Sequence, residues 1–361
     1  MIYLDHAATS LPRRASAVAK VAEAAEWANP GRGQHGAQHQ SLDKIEAARE
    51  EVRKLVGFGV VCFTPGATWA LNQAIGGWRP VPEIVAQGPM LHNACRRPLL
   101  QLGARVWTLP HTSDGRIDIA KAREHWVSGT SLVVVSHASN INGILQPVAE
   151  LAELAHQRNA GVIVDCAQTA GIQVPLDVGE ADVVAFSAHK GLRALPGAGA
   201  LVIREQVELE PLVRGGTGHD SLAVDVPEYA PERFESGTLN TVGIAAMHAA
   251  AREALEHPWA YAESREALVA AVEGAGLLCA KGELPIVSFN VPGKSALELE
   301  ETLDRVFGIV VRAGLHCAPG AHATLGTRDN GAVRASTGST TSPGELVAFG
   351  EALRQLMTLS A

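Results

Sequence analysis

Short apolar runs that end in polar residues alternate with stretches of helical periodicity along the first two thirds of the chain. Runs at 60–63, 84–86, 90–91, 106–109, 132–136, 161–168, 183–186 and 199–203 predict strands, buried on both faces because they are continuously apolar. Between them, 14–27 and 40–56, the stretch through Leu71 and Ile75, and 148–157 predict helices. A short extended segment at 2–5 precedes all of these and is closed by Leu11-Pro12. Strands alternating with helices imply an α/β fold with a mostly parallel sheet covered by helices. The texture then changes to a polar, glycine-rich connection over 213–240, followed by a linking helix at 242–255. Beyond it, strands at 286–290 and 309–312 with helices at 296–306 and 344–357 predict a second, smaller α/β unit. The expected division is a large domain over 1–245 and a small C-terminal domain over 246–361, consistent with cores that stop growing beyond ~250–300 residues.

Composition narrows the class. The 361 residues are 47% hydrophobic, and their net charge of −8 argues against a nucleic-acid or anionic-membrane partner. The opening Met-Ile-Tyr-Leu-Asp-His has no basic run before an apolar one, so a cytoplasmic protein is expected. Five cysteines (62, 95, 166, 279 and 317) are scattered without C-x-x-C spacing. Neither a disulfide framework nor a metal site is expected, which leaves catalysis as the special use of a cysteine.

Candidate chemistry gathers where apolar runs end. Of seven lysines, Lys190 alone directly follows a buried-looking strand, in Ser187-Ala-His-Lys190 ahead of the glycine-rich turn 191–199. A lysine leaving a strand for solvent would be inert, but one held out of water has a lowered pKa and can form a Schiff base. Asp165 ends the neighbouring run, the place where parallel sheets put ligand-binding groups. A carboxylate for a pyridinium nitrogen beside a Schiff-base lysine is the arrangement that makes pyridoxal phosphate an electron sink. Thr64-Pro-Gly-Ala-Thr68, between a strand and a helix, is a candidate phosphate cradle, since free backbone N–H groups and the helix dipole attract an anion. Cys317 lies in the loop Gly314-Leu-His-Cys-Ala-Pro-Gly320 beside His316, where a thiol can be accessible and thiolate-prone.

These residues resemble the class V aminotransferase group of pyridoxal-phosphate enzymes, and within it the cysteine desulfurase/selenocysteine lyase family. The marks run nearly end to end: Tyr3-Leu-Asp-His-Ala-Ala-Thr9, Asn29-Pro-Gly-Arg-Gly33, Gly66-Ala-Thr68, His92-Asn93, Ser139-Asn140, Val164-Asp-Cys-Ala-Gln168, Ser187-Ala-His-Lys190, Arg214-Gly-Gly216, Glu235-Ser-Gly-Thr-Leu-Asn240, Arg312-Ala-Gly-Leu-His-Cys317 and Val333-Arg-Ala-Ser336. The resemblance implies the PLP-dependent transferase fold type I, with the first ~12 residues of the large domain packing near the small one. It implies Lys190 as the cofactor's attachment point, Asp165 on its ring nitrogen, Gln168 on its ring oxygen and His92 stacked on the ring and moving protons. Ala67, Thr68, Ser187 and His189 would hold the phosphate, together with Thr238 from the other subunit of a homodimer. Asn140 and Arg334 would grip the substrate carboxylate, and Cys317 would take the sulfur of L-cysteine as a persulfide, releasing L-alanine. A sulfur-acceptor protein or thiol would then receive it.

Two departures touch specificity. Trp69 stands where the family often has an acidic residue, and Ser339-Thr340-Thr341 replaces an aromatic-asparagine-threonine run. The rival expectations are another pyridoxal-phosphate C–S or C–Se lyase or a class V aminotransferase-type reaction on this scaffold, and, from a different class, a sulfur-relay or assembly protein with little turnover.

Overall fold

The computed structural model of the chain describes residues 1–31, 35–218 and 222–358, so Arg32 and Gly33 of the Asn29–Gly33 loop lie outside the described residues. Strand β1 (Ile2–Tyr3) and helices α1 (Ala15–Ala25) and α2 (Gly36–Val56) precede the main sheet. That sheet comprises β2 (Val60–Thr64), β3 (Ile84–Gln87), β4 (Arg105–Thr108), β5 (Thr130–Ser136), β6 (Gly161–Asp165), β7 (Val183–Ser187) and β8 (Gly199–Ile203). Their order is β2-β8-β7-β6-β5-β3-β4, all parallel except β8, which runs against both β2 and β7.

The Val/Ile-rich central strands satisfy both faces at once. Val133, Val135, Val162, Val164, Val184 and Phe186 point into one core, and Leu132, Val134, Ile163, Val183 and Ala185 into the other, the two-residue alternation of a pleated strand. Helices α3 (Ala67–Gly77) and α4 (Asn93–Gln101) supply the second face through Leu71, Ile75 and Leu99. The first face takes α2, α6 (Val148–Gln157) and α7 (Thr241–Glu256), while the short α5 (Ile119–Glu124) lies beside α6.

Three local expectations are corrected. Residues 90–91, expected as strand, form a turn and its exit; Pro89 just before them has no N–H to give a ladder. Helix α2 starts at Gly36 rather than at 40, because His35 caps it, its Nδ1 accepting the Gln38 N–H at 3.2 Å. Helix α4 was not anticipated, because Pro98 within it masks the helical pattern.

The C-terminal part forms its own core. Helix α8 (Ala262–Glu273) leads to a four-stranded antiparallel sheet of β9 (Cys279–Lys281), β10 (Ile286–Phe289), β12 (Arg312–Gly314) and β13 (Ala332–Ser336), in the order β12-β13-β10-β9. Helices α9 (Ala296–Phe307) and α11 (Pro343–Thr358) pack on it with α8, and the six-residue α10 (Pro319–Thr324) sits between β12 and β13. Strand β11 (Ile309–Val310) leaves this sheet and pairs in parallel with β1. The expected division at 245/246 falls within α7, which continues unbroken and packs on α1 and α2.

Candidate active site

The carboxyl ends of β5, β6 and β7 open into a cavity of about 230 Å³ between the main sheet and the β12–β13 region. Asp165 ends β6 with Oδ1 accepting the Ala167 N–H at 3.0 Å, while the Cys95 thiol of α4 lies 3.8 Å from Oδ2. Lys190 follows β7 and faces the same space. Burial lowers its ammonium pKa, opposed by Asp165 and assisted by Arg334 and Arg312. The neutral amine is therefore accessible to it in a way that it is not to a solvated lysine.

The turn from β2 to α3 forms the wall on one side. Gly66, at φ 151°, sits so close to the sheet that a Cβ on Gly199 would stand 2.7 Å from the Gly66 Cα. That approach lets Ser187, at the end of β7, accept the Ala67 N–H at 2.8 Å. Thr68 follows in the first helical turn, where backbone N–H groups have no intrahelical acceptor. His189 completes this wall, its Nδ1 3.0 Å from Thr9 Oγ1, and burial takes its pKa down to about 4, helped by Lys190 and Arg13.

His92 caps α4, with Nδ1 accepting the Ala94 N–H at 3.0 Å, so the neutral ring carries its proton on Nε2. Burial lowers the His92 pKa further than Asp165 raises it. Gln168 donates to the Ala7 carbonyl at 3.0 Å, which ties the N-terminal segment to the cavity. Opposite lies Arg334 of β13, 2% exposed, with Nη2 2.6 Å from Asp5 Oδ1 and Nη1 donating to the Asn140 carbonyl at 3.0 Å. Asn140 in turn donates to the His316 carbonyl at 2.9 Å.

Cys317 is exposed and borders the same cavity, with its carbonyl accepting the Asn93 N–H at 2.7 Å. Cys62, Cys95 and Cys166 are buried and their thiol pKa values are raised by that burial; Cys279 is half-buried and lies away from the cavity. The adjacent imidazole is not free to serve the thiol, since both His316 ring nitrogens are engaged, Nε2 at 3.1 Å from the Arg312 carbonyl and Nδ1 at 3.4 Å from His322.

One expected residue lies elsewhere. Thr238 is exposed and does not border the cavity of its own chain. Its loop is anchored two ways: Glu235 pairs with Arg49 through contacts of 2.8 and 3.1 Å, and the Gly237 N–H meets the Gly216 carbonyl at 2.9 Å. Trp69 and residues 339–341 also lie off the cavity, Trp69 being 44% exposed and Ser339 accepting from Arg193 at 2.7 Å.

Three residues were missed. Arg312 and Ser136 border the cavity, and Asp5 pairs with Arg334. Ser136 ends β5 as Asp165 ends β6, so the polar end of an apolar run would have flagged it. Its Oγ and the Arg334 Nε are buried without a partner. Such atoms cost about 1–3 kcal/mol each unless something polar meets them, and here both belong to residues bordering the cavity. A lysine with a lowered pKa, a carboxylate opposite it, a helix N-terminus with hydroxyl donors and unsatisfied polar atoms make up the donor set that pyridoxal phosphate requires, so the residues present fit it.

The profile of the family described as Aminotransferase class-V matches residues 2–349. A probable cysteine desulfurase of Methanothermobacter thermautotrophicus is 30% identical, the alignment covering 98% of this chain and 94% of that protein. The apo structure of cysteine desulfurase from Thermococcus onnurineus NA1 superposes with a TM-score of 0.90 at 29% identity, over 99% of this chain and 94% of the other. That of the Escherichia coli cysteine desulfurase CsdA, in an S-sulfonic acid form, gives 0.87 at 25% identity over the same shares.

Proposed function

We propose that this chain, which belongs to the aminotransferase class-V family, is a pyridoxal-phosphate-dependent cysteine desulfurase that converts L-cysteine to L-alanine and leaves the sulfur on Cys317. The observation that carries this reading is that Lys190, Asp165 and an exposed cysteine border one cavity. Asp165 would hold the ring nitrogen of the cofactor, Gln168 its ring oxygen and His92 its face, with the phosphate on Ala67, Thr68, Ser187 and His189 and the aldehyde carbon on Lys190. When bound, pyridoxal phosphate withdraws electrons from the amino acid and so makes its Cα and Cβ reactive.

The chain's own residues do the rest. Arg334 is pre-set by Asp5 and the Asn140 carbonyl, leaving its unpartnered Nε to meet a carboxylate at low reorganisation cost. The Lys190 amine, with its pKa lowered by burial, can carry a proton to and from Cα. His92 holds a proton at Nε2 on the same side of the cavity as Asn93, whose N–H fixes Cys317. The Cys317 thiolate attacks the sulfur of bound L-cysteine. An S–S bond forms and the Cβ–S bond breaks with its electron pair kept on Cβ, which takes up a proton, equivalent to the one the substrate thiol gives up, and so ends as the methyl group of alanine. The sulfur is oxidised to the persulfide level as Cβ is reduced, so no outside oxidant enters.

The test is product analysis. Enzyme loaded with pyridoxal phosphate and given L-cysteine with a thiol reductant should release alanine and sulfide in equal amounts. Absence of alanine from L-cysteine and every other sulfur or selenium amino acid would instead favour a sulfur-relay protein.

The position of Thr238 supports a homodimer in which that loop completes the partner's phosphate site, because the loop is firmly anchored yet Thr238 does not border the active-site cavity of its own chain. Light scattering should give a dimer, and Thr238→Ala should loosen cofactor retention without dissociating it. A monomer that keeps its cofactor would refute the composite site. Among the described residues, no helix is long and apolar enough to cross a membrane.

A further inference from the structure

The loop that carries Cys317 adopts a conformation that its own residues do not favour. His316 and Cys317 have φ of 48° and 57°, two successive non-glycine residues in the left-handed region. Such residues persist only where their surroundings over-determine them. Part of the surroundings has been described, with the Asn140 side chain on the His316 carbonyl and the Asn93 N–H on that of Cys317. The remainder is a chain of side chains behind the loop.

His316 is 5% exposed and His322, on α10, is fully buried. His316 Nε2 lies 3.1 Å from a carbonyl, that of Arg312, so it must carry a hydrogen. Nδ1 of the neutral ring is then an acceptor, and His322 Nε2 at 3.4 Å must donate to it. His322 Nδ1 is in turn left as the acceptor of the Thr327 hydroxyl at 2.7 Å. One assignment of protons satisfies the whole chain, from Thr327 through His322 and His316 to the Arg312 carbonyl. The two ring planes are within 17° of parallel, with their centroids 5.6 Å apart.

We propose that His322 and Thr327 are positioning residues for Cys317, locking the His316 ring so that the backbone at 316–317 stays left-handed and presents the thiol to the cavity. The inference rests on the desulfurase reading for what the thiol does there. Neither residue borders the cavity, so they act only through His316. The same lock excludes His316 as the thiol's base. Burial takes its pKa down to about 3, with Arg334 and Arg312 opposing its protonation and His322 adding to them.

The test uses holoenzyme carrying His322→Leu, His322→Gln and Thr327→Val. In rapid-quench mass spectrometry, added sulfur on the Cys317 peptide after L-cysteine should accumulate about 10- to 100-fold more slowly in His322→Leu, the range that a misplaced reacting group brings. Cofactor content should stay within about twofold, because it depends on groups this chain does not touch, and KM for L-cysteine, linked to the loop only through the Asn140 contact with the His316 backbone, should change far less than the persulfide rate. Glutamine can donate and accept in place of the imidazole, so His322→Gln should recover most of the rate. Equal persulfide rates in His322→Leu and wild type would overturn the proposal. So would a parallel loss of cofactor and of substrate binding, which would mark a merely structural role. Should His322→Leu fail to fold, the near-isosteric Thr327→Val carries the same readings. Nitrogen NMR of the imidazoles is independent of the desulfurase reading. It should find His316 as the Nε2–H tautomer at neutral pH, moving in Thr327→Val. An Nδ1–H or charged His316 sinks the proposal even if Cys317 takes up sulfur, whereas no sulfur on wild-type Cys317 with the expected tautomer sinks only the desulfurase reading.

Discussion

Replacing Lys190 with alanine is expected to reduce alanine formation from L-cysteine by at least about 10⁴-fold, a loss on the scale seen when the central group of a covalent mechanism is removed. Among the described residues, Lys190 is the only lysine bordering the cavity, and its depressed pKa comes from burial after the end of β7. The variant loses both the cofactor's attachment point and the amine placed to move the Cα proton, so neither function has a substitute within reach. Cofactor should still enter, because Asp165, the α3 N-terminus and Ser187 are untouched, but it should wash out on dialysis. In wild type, borohydride followed by peptide mapping should leave the pyridoxyl group on the Lys190 peptide. A label on any other lysine, or an alanine variant that keeps its turnover, ends the assignment of this cavity.

Cys317→Ser should separate binding from sulfur transfer. The exchange leaves Lys190, Asp165 and Arg334 intact, so L-cysteine should still perturb the cofactor's absorbance at concentrations close to those of wild type. Sulfur abstraction should fall about 100-fold or more, since a hydroxyl at neutral pH is a far weaker nucleophile toward sulfur than a thiolate. Activity on L-selenocysteine should fall less, because selenium leaves carbon more readily. Mass spectrometry of wild type after brief exposure to L-cysteine should show one added sulfur on the Cys317 peptide. An unmodified peptide, together with a serine variant that works at the wild-type rate, would remove Cys317 from the mechanism while leaving the Lys190 site standing.

The readable part of the site was the part encoded locally. Asp165, Ser187 and Lys190 could be found because each ends or directly follows an apolar run, and the main sheet places those ends together. Asp5 could not be found this way. Its partner Arg334 lies 329 residues away, and nothing near either residue announces the pairing. Arg312 was quoted as part of a motif but given no role, since an arginine opening a three-residue strand has no periodic context. His322 lies in a six-residue helix with too few turns to show a buried face. Helix α4 was lost to Pro98 and the start of α2 to a histidine cap, both cases where one residue's chemistry overrode the average over a window. The reversal of β8 was likewise invisible, because a strand buried on both faces looks the same whichever way it runs.

The pairing of β1 with β11 fixes the order in which a growing chain can be completed. Ile2 and Tyr3 meet Ile309 and Val310, and the Ala7 N–H meets Ser336 Oγ at 2.9 Å. Residues 2 and 3 therefore wait for their partners at 309 and 310. A chain interrupted before residue 309 contains every strand of the main sheet, with Asp165 and Lys190 at or after strand ends, yet it has no partner for β1 and lacks both Arg334 and Cys317. A polypeptide halted there is thus denied the grip on the substrate and the sulfur-taking thiol together, and the reactive centre closes only once residues 309 to 334 have been made.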